Sequence, residues 1–185
     1  MPQPSPFHER TAKLCQSFQW KEWAGRVAVC RFQSSHEPEY YAFRESAGLI
    51  DISPLYKYEV RGRAAAALLS RMMVRDISKL QVGRVTYCCW CDDRGKVLDD
   101  GTVTRLDDNE YRVTAAEPTY HWLSRLSRGL EVEIEDVTNS IVALALQGPL
   151  SRAVLQQCSD AALDDLKFFR TTKARLDGID VWISR

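Results

Sequence analysis

The sequence predicts an α+β chain: mixed, mainly antiparallel sheets with helices packed on them. Three observations predict it. Short runs rich in Val, Ile, Thr and aromatic residues are parted by compact turn signals, Asp92-Asp93-Arg94-Gly95, Asp107-Asp108-Asn109 and Asp177-Gly178. Ala64–Met73 is rich in Ala and Leu and lacks β-branched residues, the composition of a helix. Helix and strand signals alternate irregularly, with no internal repeat or low-complexity segment.

In chain order, a helix is expected after Ser5, with Pro6 at its first position, where a missing N–H is tolerated. A second runs from about Pro38 to Ala47, with Gly48 in the C′ role. Leu49–Ser53 and Tyr56–Arg61 read as short strands separated by Pro54. The Ala64–Met73 helix follows. Arg84–Cys91, Lys96–Leu106 and Glu110–Thr114 form a meander through the first two turns. Pro118–Arg128 reads as a helix stopped by Gly129. Val132–Asp136 alternates apolar residues with acids, as a half-exposed strand does. Ile141–Leu146 reads as a buried strand, and Gly148-Pro149 opens a helix to about Gln157. Arg170–Leu176 and Ile179–Ser184 flank Asp177-Gly178, a hairpin signal. The closing residues Val181–Arg185 are strand-like and mostly apolar, which reads as a chain stopping inside a larger architecture.

Composition narrows the function classes. Hydrophobic residues make up 45% and charged residues 27%, the balance of an ordinary globular protein. Lys plus Arg is 25 and Asp plus Glu is 25, so the formal net charge is +0. Without a basic run, nothing electrostatic points to nucleic acid or a membrane surface as partner. The opening Met-Pro-Gln-Pro-Ser-Pro lacks the basic and apolar segments of a secretory signal. The longest apolar runs fall well short of the roughly 20 residues that span a bilayer. A cytoplasmic location is expected.

Cys88 and Cys91 form a C-x-x-C spacing, but no second ligand pair accompanies them, and His8, His36 and His121 are scattered. The spacing falls in a strand-like segment, whereas a redox motif opens a helix. These cysteines are expected to be small core residues in a reducing compartment, with no metal site.

The densest candidate for chemistry is Asp99-Asp100, inside an apolar strand where Asp is normally depleted. In an extended strand the two must face opposite sides, so each needs its own explanation. One can face solvent or cap a turn. The other can face a cavity and accept hydrogen bonds from a ligand, with Gly101 admitting that ligand close to the backbone. Tyr87 lies on the strand expected to pair with the Asp-Asp strand, which would bring it near Asp100. An exposed acidic stretch and a cross-strand packing aromatic remain open readings of these residues.

The ordered set of motifs resembles the aminomethyltransferase (T-protein) family of the glycine cleavage system. Trp23-Ala24-Gly25 looks like the family's early aromatic-Ala-Gly segment. Arg44-Glu45-Ser46-Ala47-Gly48-Leu49-Ile50-Asp51-Ile52-Ser53 looks like its Arg-x-x-x-Gly-(Leu/Met)-(Phe/Ile)-Asp-(Val/Ile)-Ser. Gly62–Leu69 and Arg75-Asp76-Ile77 fit its helix and the element that follows. Gly95-Lys96-Val97-Leu98-Asp99-Asp100 resembles its Gly-Gly-(Ile/Val)-(Ile/Leu)-Asp-Asp signature. Ala143–Pro149 resembles its Ala-Leu-Leu-Ala-Leu-Gln-Gly-Pro, and Phe168-Phe169-Arg170 its Phe-Phe-(Arg/Lys). Order and spacing agree over nearly all 185 residues.

The resemblance implies the N-terminal portion of a multi-domain fold whose domains ring a channel holding tetrahydrofolate. It implies one-carbon transfer, as an aminomethyl or methylene unit, from an amine donor to the folate N5. The donor would be a small molecule or an amine carried on a lipoyl protein. Asp100 takes the catalytic role by this mapping, and Leu55, Tyr87, Asp99, Asp100, Tyr111 and Val113 line the folate site. The implied organisation is a helix/strand segment at 1–50 completing the first sheet, a folate-binding core at 51–140, and the start of a second α+β subdomain at 141–185. Two departures stand out. Ser53-Pro54-Leu55 replaces the usual Ser-His-Met, and Gly101 replaces a bulky apolar residue. The Asp-Ile-Ser-Pro-Leu pattern looks more like the folate-binding portions of dimethylglycine- and sarcosine-type demethylating enzymes. A non-catalytic folate-binding module is the third expectation. The family's Thr-Gly-Tyr-Thr-Gly-Glu-type segment would begin after Arg185.

Overall fold

Tyr58 and Val60, Val103, and Tyr111 and Val113 alternate with polar neighbours along three strands, and their side chains build the largest core. The computed structural model describes all 185 residues, Met1–Arg185. In chain order the elements are β1 (Gln3–Pro4), α1 (His8–Leu14), β2 (Gln19–Trp23), β3 (Arg26–Arg31), α2 (Glu37–Glu45), β4 (Gly48–Asp51), β5 (Tyr56–Arg61) and α3 (Ala65–Met72). A 3-10 turn, Ile77–Lys79, precedes β6 (Val85–Cys91), β7 (Val97–Asp107), β8 (Glu110–Ala115), α4 (Tyr120–Leu126) and β9 (Glu133–Asp136). Last come β10 (Leu144–Gln147), α5 (Ser151–Gln156), β11 (Thr171–Leu176) and β12 (Ile179–Ser184). The fold is α+β with mainly antiparallel sheets. No helix is long and apolar enough to cross a membrane.

The chain divides into two compact units. One comprises Met1–Pro54 and Ile141–Asp160, the other Leu55–Ser140 and Ala161–Arg185. The stretch 141–185, read from sequence as one subdomain, is thus divided between them.

In the first unit β2 and β3 form a hairpin with β1 added in parallel. Its tight turn, Ala24-Gly25, holds both residues at positive φ, 47° and 75°. That is the backbone sense which matches strand twist. β4 pairs antiparallel with β10. The buried strand expected at Ile141–Leu146 is instead a short, partly exposed one, with Leu144 46% exposed. A two-stranded ladder leaves its side chains more open than a covered sheet does.

The second unit holds a five-stranded antiparallel sheet in the order β6-β7-β8-β5-β9, together with the β11–β12 hairpin. On α3 the buried residues Ala65, Leu68, Leu69 and Met72 recur at helical spacing and pack on the sheet with Leu123 of α4. The Tyr58 hydroxyl, inside this core, accepts a 2.9 Å hydrogen bond from the backbone N–H of Thr119 at the start of α4. It ties helix to sheet. Tyr58→Phe leaves that buried N–H without its acceptor. The expected cost is about 1–3 kcal/mol in unfolding free energy. Urea denaturation measures it, and an unchanged midpoint would refute the role.

Candidate functional site

The β6–β7 register sets the site. Tyr87 pairs with Thr102, Cys89 with Asp100 and Trp90 with Asp99. The turn Asp92-Asp93-Arg94-Gly95 fixes this pairing. The Asp92 carboxylate accepts from the N–H groups of Arg94 and Lys96, both at 2.9 Å, and Gly95 supplies the left-handed φ of 76°. Asp100, Thr102 and Thr104 then lie on one face of the sheet, and Asp99 and Val103 on the helix-covered face.

On the open face the Tyr87 hydroxyl donates to Oδ2 of Asp100. Tyr87 is 52% exposed. The hydrogen bond to the carboxylate, with a smaller contribution from burial, raises the phenol above its ordinary range. Thr102 of β7 lies opposite Thr114 of β8, so two further hydroxyls share the face. Neither was singled out from sequence, although the alternation of Arg112 and Thr114 with buried Tyr111 and Val113 signals it. Across the same face, Glu59 pairs with Arg112 at 2.6 Å and with Arg61, which also reaches Glu110 at 3.2 Å and Glu135 at 2.9 Å. Burial lowers the pKa of the Arg112 guanidinium from its usual value.

Four of the expected site residues lie elsewhere. Asp99 is only 8% exposed, and its Oδ2 accepts a 2.9 Å bond from the Glu117 N–H. It pins the loop after β8 and faces away from Tyr87. Tyr111 and Val113, 1% and 0% exposed, are packed in the core on that covered face. The strand's two-residue period turns them away from Asp100. Leu55 sits half-buried in the bend before β5, with β7 and β8 between its strand and β6, and its carbonyl accepts from Lys57 Nζ at 2.7 Å. The structure therefore brings Tyr87 and Asp100 together and leaves Leu55, Asp99, Tyr111 and Val113 apart from them.

Gly101 also has another role than admitting a ligand. A Cβ there would meet the backbone oxygen of Thr114 at 1.9 Å, so close strand packing excludes any larger residue. Cys88 is buried, and that burial pushes its thiol up to about 11. No group of three or more His, Cys, Asp or Glu side chains is placed to hold a metal ion.

The model for the GCVT N-terminal domain family matches residues 7–185. An aminomethyltransferase of Anoxybacillus flavithermus is 40% identical over 152 residues, covering 80% of this chain and 40% of that protein. One of Streptomyces coelicolor is 34% identical over 168 residues, covering 89% and 45%. The chain thus spans less than half the length of these relatives. The glycine cleavage system aminomethyltransferase T from Bartonella henselae matches with a TM-score of 0.83 at 26% identity, over 92% of this chain and 47% of that one. A heterotetrameric sarcosine oxidase from Corynebacterium sp. U-96 matches with a TM-score of 0.61 at 19% identity, over 99% of this chain and 81% of that one. At that identity the likeness is one of fold.

Two outcomes check the site's geometry. Gly101→Ala forces two strands apart and should destabilise the chain by roughly 2 kcal/mol or more, read from its denaturation midpoint. In Asp100→Asn the Tyr87 phenol should titrate lower than in the parent, followed by its ultraviolet absorbance. Because the folded value is raised, the pairing stabilises the chain below the ordinary tyrosine value of 10.0 and loses that effect as pH rises through the folded value. An identical titration in both proteins would remove the Tyr87–Asp100 pair.

Proposed function

Because the chain belongs to the GCVT N-terminal domain family, we propose that its second unit carries part of a tetrahydrofolate site serving one-carbon transfer from an amine donor to the folate. The observation that carries this reading is the Tyr87–Asp100 pair on the open face of the sheet. The residues present suit a reduced pterin. An ionised carboxylate is an acceptor-only group, matched to a ligand rich in N–H donors. When bound, tetrahydrofolate supplies the nitrogen that receives the one-carbon unit.

Asp100 does the electrostatic work. Its carboxylate orients ligand N–H groups and stabilises positive charge developing on nitrogen during transfer. Tyr87 occupies Oδ2 and holds the carboxylate in one orientation, leaving Oδ1 for the ligand. The Thr102 and Thr114 hydroxyls flank that position.

The donor in this reading is an amine presented by a lipoyl carrier. Ser53-Pro54-Leu55, in place of the family's usual Ser-His-Met, favours a second reading, in which the donor is a free methylamine of the dimethylglycine or sarcosine kind.

Calorimetric titration of the full chain with tetrahydrofolate tests the proposal. Micromolar binding is expected, weakened at least about tenfold in Asp100→Asn while Asp99→Asn binds like the parent. Equal affinity of parent and Asp100→Asn would remove the assignment of Asp100. Absence of binding by the folded chain would remove the folate reading. Turnover assayed with aminomethyl-lipoyl protein beside dimethylglycine separates the two donors.

A further inference from the structure

β6 is the outer strand of the five-stranded sheet. Its residues alternate faces, so Cys88 and Trp90 enter the core while Tyr87, Cys89 and Cys91 share the open face. The sheet thus divides the C-x-x-C spacing of Cys88 and Cys91, and the thiols that meet are those of Cys89 and Cys91. Both are half-buried and free, whereas Cys88 is only 4% exposed. Burial first, then the charge of Cys89 and a hydrogen bond with it, hold the Cys91 thiol above its ordinary range.

The thiol pair borders the Asp100 carboxylate. Cys89 lies directly opposite Asp100. The Arg84 carbonyl turns inward and accepts from the Arg105 N–H at 3.0 Å. The Val85 N–H and the Cys89 carbonyl turn outward, bonding to Phe169 and Val74 at 3.0 and 3.1 Å. By that alternation Cys89 and Asp100 form a non-hydrogen-bonded pair, the kind whose side chains stand closer. The hydrogen bond to Asp100 raises the Tyr87 phenol most, and the charge of Cys89 adds to it. The ladder is also irregular at this step: its register shifts between Trp90 and Cys91, with Leu98 as the extra residue of β7. Two residues of strand span about 6.6 Å, inside the range of Cα separations that disulfides bridge. Closing such a bond bends β6 where a single neighbouring strand holds it, and a bond closed with strain is readily reduced.

We propose that Cys89 and Cys91 are a redox-active dithiol, oxidised reversibly to an intrachain disulfide by a small organic disulfide. The Cys89 thiolate attacks one sulfur of that disulfide, whose S–S bond breaks and releases a thiolate. The released thiolate takes the Cys91 proton. The Cys91 sulfur then attacks the Cys89 sulfur, the mixed disulfide breaks, and a second small thiolate leaves. The two cysteines lose two electrons in all, and the small disulfide gains them. Once Cys89 is in the mixed disulfide its charge is gone, which frees the Cys91 proton for the second step. None of this depends on folate binding.

The test treats the full chain with oxidised glutathione, alkylates the remaining thiols after unfolding, and maps the peptide 85–94 by mass spectrometry. In the parent that peptide should carry a Cys89–Cys91 bond, no retained glutathione, and the alkyl label on Cys88 alone. A reducing dithiol should restore the label on Cys89 and Cys91. Cys91→Ser should keep glutathione on Cys89, because the resolving thiol is gone. The Tyr87 phenol, followed by ultraviolet absorbance, should titrate lower in the oxidised parent than in the reduced one, since the disulfide carries no charge. Glutathione retained on Cys89 in the parent, a bond to Cys88, or an unmodified peptide after the exposed Cys30 has reacted overturns the proposal. An unchanged phenol titration in the oxidised chain removes the link to Asp100.

Discussion

An extended strand turns successive side chains to opposite faces, and on β7 that alternation sets two adjacent carboxylates on opposite sides of the sheet. The rest of the second unit follows from it. Asp99 goes to the covered face, where a carboxylate is tolerated only with a partner; the Glu117 N–H provides one and anchors the loop leading into α4. Asp100 goes to the open face and meets Tyr87. A slip of one residue between β6 and β7 would exchange the two and bring Val103 out of the core. The hydrogen bonds of the Asp92–Gly95 turn guard against that slip, and the close backbone contact at Gly101 holds β7 in its place against β8.

Much of this was legible in the residues. Tyr56–Arg61 has the bounds its alternation gives, the three turn signals all join paired strands, and Ala64–Met73 contains α3. The proximity of Tyr87 and Asp100 followed from pairing across a four-residue turn. The β2–β3 hairpin was not legible. Trp20 and Trp23 are three apart, which breaks a period of two, and Ala24 is an unusual residue at positive φ. Tyr111 and Val113 teach a different lesson. Family resemblance assigned them to the ligand, yet their alternation with Arg112 and Thr114 already marked them as core. Where motif mapping and strand parity disagree, parity has the direct physical cause.

The open face combines two electrostatic regimes. Around β5 and β8, Glu59 is buried between Arg61 and Arg112, and burial already disfavours the charge on Arg112. Such a cluster gains little net stability as a whole, but losing one member would strand a buried charge, so its arrangement is held tightly. Around β6 and β7, Tyr87 and Asp100 remain open to water. The cluster ties β8, which flanks β7 on one side, to β5 and β9, and the exposed pair sits on the other side of β8. Preorganisation of this kind is what the proposed role of Asp100 requires.

Tyr87 lies on an edge strand. In a central strand both backbone edges are consumed by neighbours, and a residue can act only through its side chain. At an edge, one side of the backbone stays available, a liability that proteins usually cover. Here the contacts of Val74 with Cys89 and of Phe169 with Val85 cover β6 at two points and leave Tyr87 between them. The strained backbone at Phe169 is part of that cover, since its carbonyl accepts from the Val85 N–H of β6. The uncovered step is therefore framed by specific contacts on both sides.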